Sequence, residues 1–204
     1  SLFPTKFSRD KIIKKHGKFL TYDVTPFYIY KPIVAKRIFE LSPKAKIISN
    51  LRNPVDRAYS NYILMLQNGG TTKTFEEVVQ ISMDKIDKNK SKLNDEAYLV
   101  NTFDENILAR GFYADQLKIW FEKFQKKQLL IIPSEDLAQK TDEILSKVFE
   151  FLDLPYFKIK DFTKHNKREY LPMKNETRKL LIEFYQPHNK KLYSLINQHF
   201  DWDK

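Results

Sequence analysis

Residues 46–66, KIISNLRNPVDRAYSNYILML, constrain the fold more than any other stretch of the chain. The apolar run ending at Leu51 has strand length, and Asn53-Pro54 stops it. Asn is a good N-cap, and Pro, with its fixed φ and missing N–H, is preorganised for the first helical position. Asp56, three residues past the cap, suits the positive end of the helix dipole. The segment therefore reads as a strand that turns directly into a helix, and the rest of the chain repeats that alternation.

Strands are predicted over 19–24, 46–51 and 128–133, and helices over 31–41, 54–66, 104–124, 142–152 and 176–197, the last carrying Pro187. A further helix starts at Thr74, where Thr74 and Glu77 match a capping box. Residues 85–94, rich in Lys and Asp, read as an exposed helix end and a mobile loop. This order predicts an α/β fold with an open parallel sheet flanked by helices, which binds ligands beyond the carboxyl ends of its strands. No internal repeat or Pro/Gly-rich linker divides the 204 residues, so residues 1–204 are expected to form one domain.

Composition narrows the partners. The net charge of +10 favours anionic ligands. The basic residues are spread along the whole chain, without a helix-turn-helix, zinc or RNA-recognition pattern, so nucleic acid is not expected among them. The chain contains no cysteine, which excludes disulfides, thiolate metal sites and a Cys nucleophile, and its four histidines lack metal-ligand spacing. No apolar run approaches membrane-spanning length. The Lys-, Ile- and Asn-rich, Cys-free composition points to a cytoplasmic protein.

Arg52 stands at the mouth of the predicted strand, and Ser60 follows eight residues later on the helix. Most of that interval rises at only about 1.5 Å per residue. A long Arg side chain leaning along the helix can meet the Ser60 hydroxyl around one anion, and a guanidinium fork with a hydroxyl suits a phosphate monoester. The plainer alternative pairs Arg52 with Asp56 and turns Ser60 toward a neighbouring helix. Tyr113 and Trp120, seven residues apart, share one helical face and read as core.

LRNPVDRAYSNY resembles the 3′-phosphate-binding segment of sulfotransferases that use 3′-phosphoadenosine 5′-phosphosulfate (PAPS), in particular the heparan and carbohydrate sulfotransferases. FLTYDVTPFYIYKPIVAKRIFELSPKAKII, RGFYADQLKIWFEKFQKKQLLIIPSEDL with its Gly-x-Tyr, KVFEFLDL and KREYLPM resemble other segments of that family in the same order. The resemblance implies a P-loop-NTPase-like parallel sheet and transfer of a sulfuryl group from PAPS to a hydroxyl or amine of a carbohydrate-like acceptor. The product would be 3′-phosphoadenosine 5′-phosphate (PAP), and no metal is implied. It assigns Arg52 and Ser60 to the 3′-phosphate, places Lys167, Arg168 and Tyr170 on a loop closing over the nucleotide, and offers Phe162 as an adenine stack, although Phe162 reads equally well as a core aromatic.

Such proteins open with a strand, a glycine-bearing P-loop and a helix that cradle the 5′-phosphosulfate. Glycines occur here at 17, 69, 70 and 111, and none supplies that pattern; Gly69-Gly70-Thr71-Thr72 follows a helix instead. The first strand and P-loop are therefore read as missing, and with them the usual catalytic base. Asp23 and His165 are the remaining acid or base candidates. A nucleotide-binding remnant or partner subunit without independent activity is the alternative reading. Animal relatives of the family work in the Golgi lumen, which makes that compartment the alternative location.

Overall fold

The computed structural model describes residues 5–17, 19–89, 106–159 and 171–203. Strands β1 (Ile47–Leu51) and β2 (Leu129–Pro133) lie side by side and parallel, in register from Ile47 opposite Leu129 to Leu51 opposite Pro133. Around them stand helices α1 (Lys6–His16), α2 (Pro32–Leu41), α3 (Pro54–Gln67), α4 (Phe75–Lys88), α5 (Tyr113–Lys123), α6 (Ser134–Gln139), α7 (Thr141–Phe151) and α8 (Asn175–Ile196). Helix α5 packs between α2 and α8, α3 packs on α8, and α6 and α7 lie against β2.

Local chemistry accounts for most of these boundaries. Helix α3 begins as the sequence indicates, with the Asn53 side chain accepting from the Val55 amide at 2.9 Å and Pro54 in the first turn. It ends in a Schellman motif: the Gly70 amide donates to the Met65 carbonyl at 2.8 Å and the Gly69 amide to Leu66 at 3.2 Å, with Gly69 left-handed at φ 69°. Gly69-Gly70 is thus a helix stop. Thr74 and Glu77 form the capping box of α4, and α8 continues through Pro187.

Two expectations are corrected. Residues 19–24 form no strand: Leu20, Tyr22 and Val24 are all exposed, so their β propensity finds neither a partner strand nor a face to bury. Two strands, not three, are present among the described residues. The helix expected over 104–124 starts only at Tyr113. The Asn106 side chain accepts from the amides of Leu108 at 2.9 Å and Ala109 at 3.1 Å, competing with helical bonding, and a single 3-10 turn (Ala109–Gly111) follows. Positions 104 and 105, like 90–94 of the expected loop, lie outside the described residues.

The core has three parts. Val55, Ala58, Tyr62, Phe75, Val79, Leu108, Leu181 and Tyr185 join α3, α4, the 106–112 turn and α8. Leu51, Tyr113, Leu117, Ile131, Leu192, Phe200 and Trp202 close over the carboxyl end of the sheet. Ala35, Trp120, Phe124 and Leu129 fill the opposite end, with the Trp120 indole donating to the Ile29 carbonyl at 2.8 Å.

His188 on α8 is the core's acid-sensitive group. Its ring stacks on Phe112 at 3.8 Å between centroids, and its Nδ1 is buried without a hydrogen-bond partner. Burial, aided by the positive charge of Lys191, depresses its pKa to about 4 from the ordinary 6.5. Between those values the unfolded chain binds a proton that the folded chain refuses, so this contribution to stability is complete above pH 6.5 and is lost as pH falls toward 4. The loss approaches about 3 kcal/mol at the acid limit. We expect His188→Gln to flatten the fall of the melting temperature between pH 6.5 and 4, measured by calorimetry.

Candidate functional site

The residue at the carboxyl end of β1 is Arg52, half-buried and followed at once by the capped start of α3. Contacts from three distant parts of the chain fix this turn. The Tyr113 hydroxyl donates to the Arg52 carbonyl at 2.9 Å. The Asn53 amide donates to Glu135 Oε1 at 2.8 Å, and the Trp202 indole donates to the other carboxylate oxygen of Glu135 at 3.2 Å. Glu135 sits on α6, directly beyond β2, where Ser134 also donates to Asn50 Oδ1 at 2.9 Å. Burial raises the pKa of the Tyr113 phenol, which keeps it a proton donor to the Arg52 carbonyl.

Gly111 completes the clamp from the other side. A Cβ at this position would lie 2.6 Å from Tyr185 Cε1 and 2.9 Å from Pro54 Cβ, so the backbone approaches the first turn of α3 as closely as only glycine allows. The Gly-x-Tyr of the sequence therefore has two physical roles: Gly111 permits contact with Pro54, and Tyr113 holds the carbonyl two residues earlier.

The plainer partner for Arg52 is occupied elsewhere, because Asp56 pairs with Arg178 on α8. Neither the Arg52 guanidinium nor the Ser60 hydroxyl makes a hydrogen bond or ion pair with another of the described residues. Ser60 follows Pro54 by six residues of α3, about 9 Å along the helix axis. One residue earlier, the Tyr59 hydroxyl donates to the Leu171 carbonyl at 2.8 Å, which ties the chain just after position 170 to the same part of α3.

The structure thus puts Arg52 and Ser60 on one strand–helix unit. Phe162, His165, Lys167, Arg168 and Tyr170 lie outside the described residues. Asp23 is exposed and accepts a hydrogen bond from the Tyr28 hydroxyl at 2.7 Å. Glu135 and Trp202 carry no sequence signal as positioning residues, because no local spacing connects positions 135 or 202 with 53. For the Tyr113 hydroxyl the one sequence signal is the Gly-x-Tyr resemblance, since helical spacing marks Tyr113 only as core. Among the described residues no group of three His, Asp or Glu side chains could hold a metal ion, and no helix is long and apolar enough to cross a membrane.

Comparison with known proteins bears on the fold and the family. Residues 32–200 match the family model described as "Sulfotransferase domain". The membrane-associated sulfotransferase kil1 of Dictyostelium discoideum is 27% identical over 88% of this chain and 52% of its own length. Mouse carbohydrate sulfotransferase 15 is 30% identical over 81% of the chain and 32% of its own length, and human heparan sulfate glucosamine 3-O-sulfotransferase 3B1 is 28% identical over 90% and 50%. The chain thus spans about half or less of these curated relatives. A crystal structure of a sulfotransferase from Alicyclobacillus acidocaldarius superposes with a TM-score of 0.66 and 27% identity, covering 87% of this chain and 65% of that one. Parallel strands flanked by helices, in the P-loop-NTPase-like fold typical of sulfotransferases, and a match across most of the sequence lead to one conclusion: the chain belongs to the sulfotransferase domain family.

Proposed function

We propose that this domain serves sulfuryl transfer from PAPS to a hydroxyl or amine of a carbohydrate-like acceptor, and that Arg52 and Ser60 hold the 3′-phosphate of the nucleotide. One observation carries the reading: a rigidly clamped turn presents Arg52 on the same unit as Ser60, with Asp56 already paired to Arg178. A guanidinium fork and a hydroxyl supply charge-assisted donors to one phosphate. Lys167, Arg168 and Tyr170 belong to the same proposal as the cover of the nucleotide, and the Tyr59–Leu171 bond supports it by tying the end of that segment beside Ser60. Phe162 is proposed as the adenine stack.

In the reaction, the acceptor O–H or N–H gives its proton to a base, the acceptor oxygen or nitrogen bonds to sulfur, and the sulfur–oxygen bond to the departing PAP phosphate breaks. Such chemistry is largely positioning and stabilisation of charge on the groups in flight. We place the domain in the cytoplasm, with a Golgi-lumenal setting as the alternative.

The second reading, nucleotide binding without independent activity, draws on Asp23: this acid–base candidate is exposed and already hydrogen-bonded to Tyr28. The test has two arms. Calorimetric titration with PAP is expected to show binding, and its absence would overturn both readings. Transfer of labelled sulfate from PAPS to a glycan separates them, because transfer supports the first reading and binding without transfer supports the second.

A further inference from the structure

Arg57 stands on α3 between Arg52 and Ser60, three residues before Ser60 and so beside it on the helix surface. Its backbone amide donates to the Asn53 carbonyl at 2.9 Å, within the clamped first turn. Its side chain is half-buried: the guanidinium donates to the Ile107 carbonyl, and Nε is buried without a hydrogen-bond partner. Arg57 forms no ion pair with another described residue, and the neighbouring carboxylate, Asp56, is balanced by Arg178.

A charge in such surroundings is poorly screened and acts at a distance. Burial raises the pKa of the Tyr113 and Tyr185 phenols, and at both the Arg57 charge is the largest influence opposing it. Tyr113 is the residue whose hydroxyl holds the Arg52 carbonyl at 2.9 Å, so the field of Arg57 reaches the clamped turn. That turn also takes in a negative charge, because Glu135 accepts from the Asn53 amide at 2.8 Å and the Trp202 indole at 3.2 Å. The charges of Arg52 and Glu135 cancel, and a neutral turn holds no surplus attraction for a phosphate dianion. Arg57 restores a net positive charge.

We infer that Arg57 is the second cation of the 3′-phosphate site: it bonds to Ile107 and not to the nucleotide, and its charge, offsetting Glu135, makes the site prefer a doubly ionised phosphate to a singly charged anion. The inference rests on the PAP reading above. Arg52 and Ser60 supply the hydrogen bonds, and Arg57 supplies the field. A phosphate monoester loses its second proton near about pH 6, whereas a sulfate ester or a carboxylate carries a single charge. The net charge of the turn therefore discriminates between anions that the same hydrogen bonds would accept.

The test is a phosphorus-31 NMR titration of bound PAP between about pH 5 and 8. It compares wild type, Arg57→Gln, Arg57→Lys and Glu135→Gln, with adenosine 5′-monophosphate marking the 5′-phosphate signal. In the wild type the bound 3′-phosphate is expected to hold its second proton less tightly than in free PAP. Its proton affinity should rise about 3-fold in Arg57→Gln and return to the wild-type value in Arg57→Lys. In Glu135→Gln, which keeps an acceptor for the Asn53 amide and removes the charge, it should fall about 3-fold. The preference for PAP over adenosine 5′-monophosphate should shrink about 3-fold in Arg57→Gln alone of the three variants. A purely structural role would weaken PAP binding without moving the titration, so identical titrations in wild type and Arg57→Gln would overturn the inference. Equal shifts in Arg57→Gln and Arg57→Lys would do the same. If Arg57→Gln fails to fold, Glu135→Gln decides, and an unchanged proton affinity there overturns the inference. PAP binding that depends on Arg52 but not on Arg57 leaves the nucleotide reading standing and refutes this one, whereas no binding of PAP to the wild-type chain overturns both.

Discussion

Replacement of Arg52 by alanine is expected to weaken PAP binding about 10- to 100-fold, the loss of a charge-assisted contact worth about 1.5–3 kcal/mol. The melting temperature should stay close to wild type, because the guanidinium makes no hydrogen bond or ion pair with another described residue. Arg52→Lys keeps the charge but loses the fork, and should recover only part of the affinity. Ser60→Ala removes one neutral donor and should cost about 3- to 10-fold. Equilibrium titration of PAP into the three variants, with thermal unfolding beside it, separates a lost ligand contact from a lost fold.

Gly111→Ala is expected to produce the opposite pattern, a loss of stability first. The new methyl would lie 2.6 Å from Tyr185 Cε1 and 2.9 Å from Pro54 Cβ, inside contact distance of one buried aromatic ring and of the proline side chain in the first turn of α3. Tyr185 is fully buried and held by its hydroxyl, which donates to the Leu108 carbonyl at 2.7 Å, so it has little room to retreat. Overpacking of this kind costs about 1–3 kcal/mol, or a fall of roughly 3–10 °C in the melting temperature of a chain this size. Pro54 opens the helix that carries Ser60, so PAP affinity should fall as well. An unchanged melting temperature in Gly111→Ala would show that the contact between the 109–111 turn and α3 is looser than the geometry indicates.

The parts of the molecule readable from sequence are those specified by neighbours in the chain. Asn53 and Pro54 announce the start of α3, Thr74 and Glu77 that of α4, and the apolar runs at 47–51 and 129–133 the two strands. Where a distant partner decides, local pattern misleads. Residues 19–24 have β-forming side chains but no strand beside them, and the periodicity over 104–124 runs through a break that Asn106 imposes with its own side chain. Helix α1 buries none of its residues, so it leaves no apolar stripe to detect.

The same division holds at the site. The placement of Arg52 and Ser60 on one strand–helix unit is legible because neighbouring residues specify both elements. The groups that aim the turn are not, because Glu135 and Trp202 reach Asn53 from 82 and 149 residues away. Even the choice between an Arg52–Asp56 pair and an uncommitted Arg52 required Arg178, which lies 122 residues beyond Asp56.

The central claim is that Arg52 recognises a 3′-phosphate, and the most direct measurement compares PAP with adenosine 5′-monophosphate, which lacks that group, on wild type and Arg52→Ala. The account predicts that wild type binds PAP at least about 10-fold more tightly and that the preference shrinks to within about 3-fold in the variant. A preference that survives intact in Arg52→Ala, or that is missing from the wild-type chain, would contradict it.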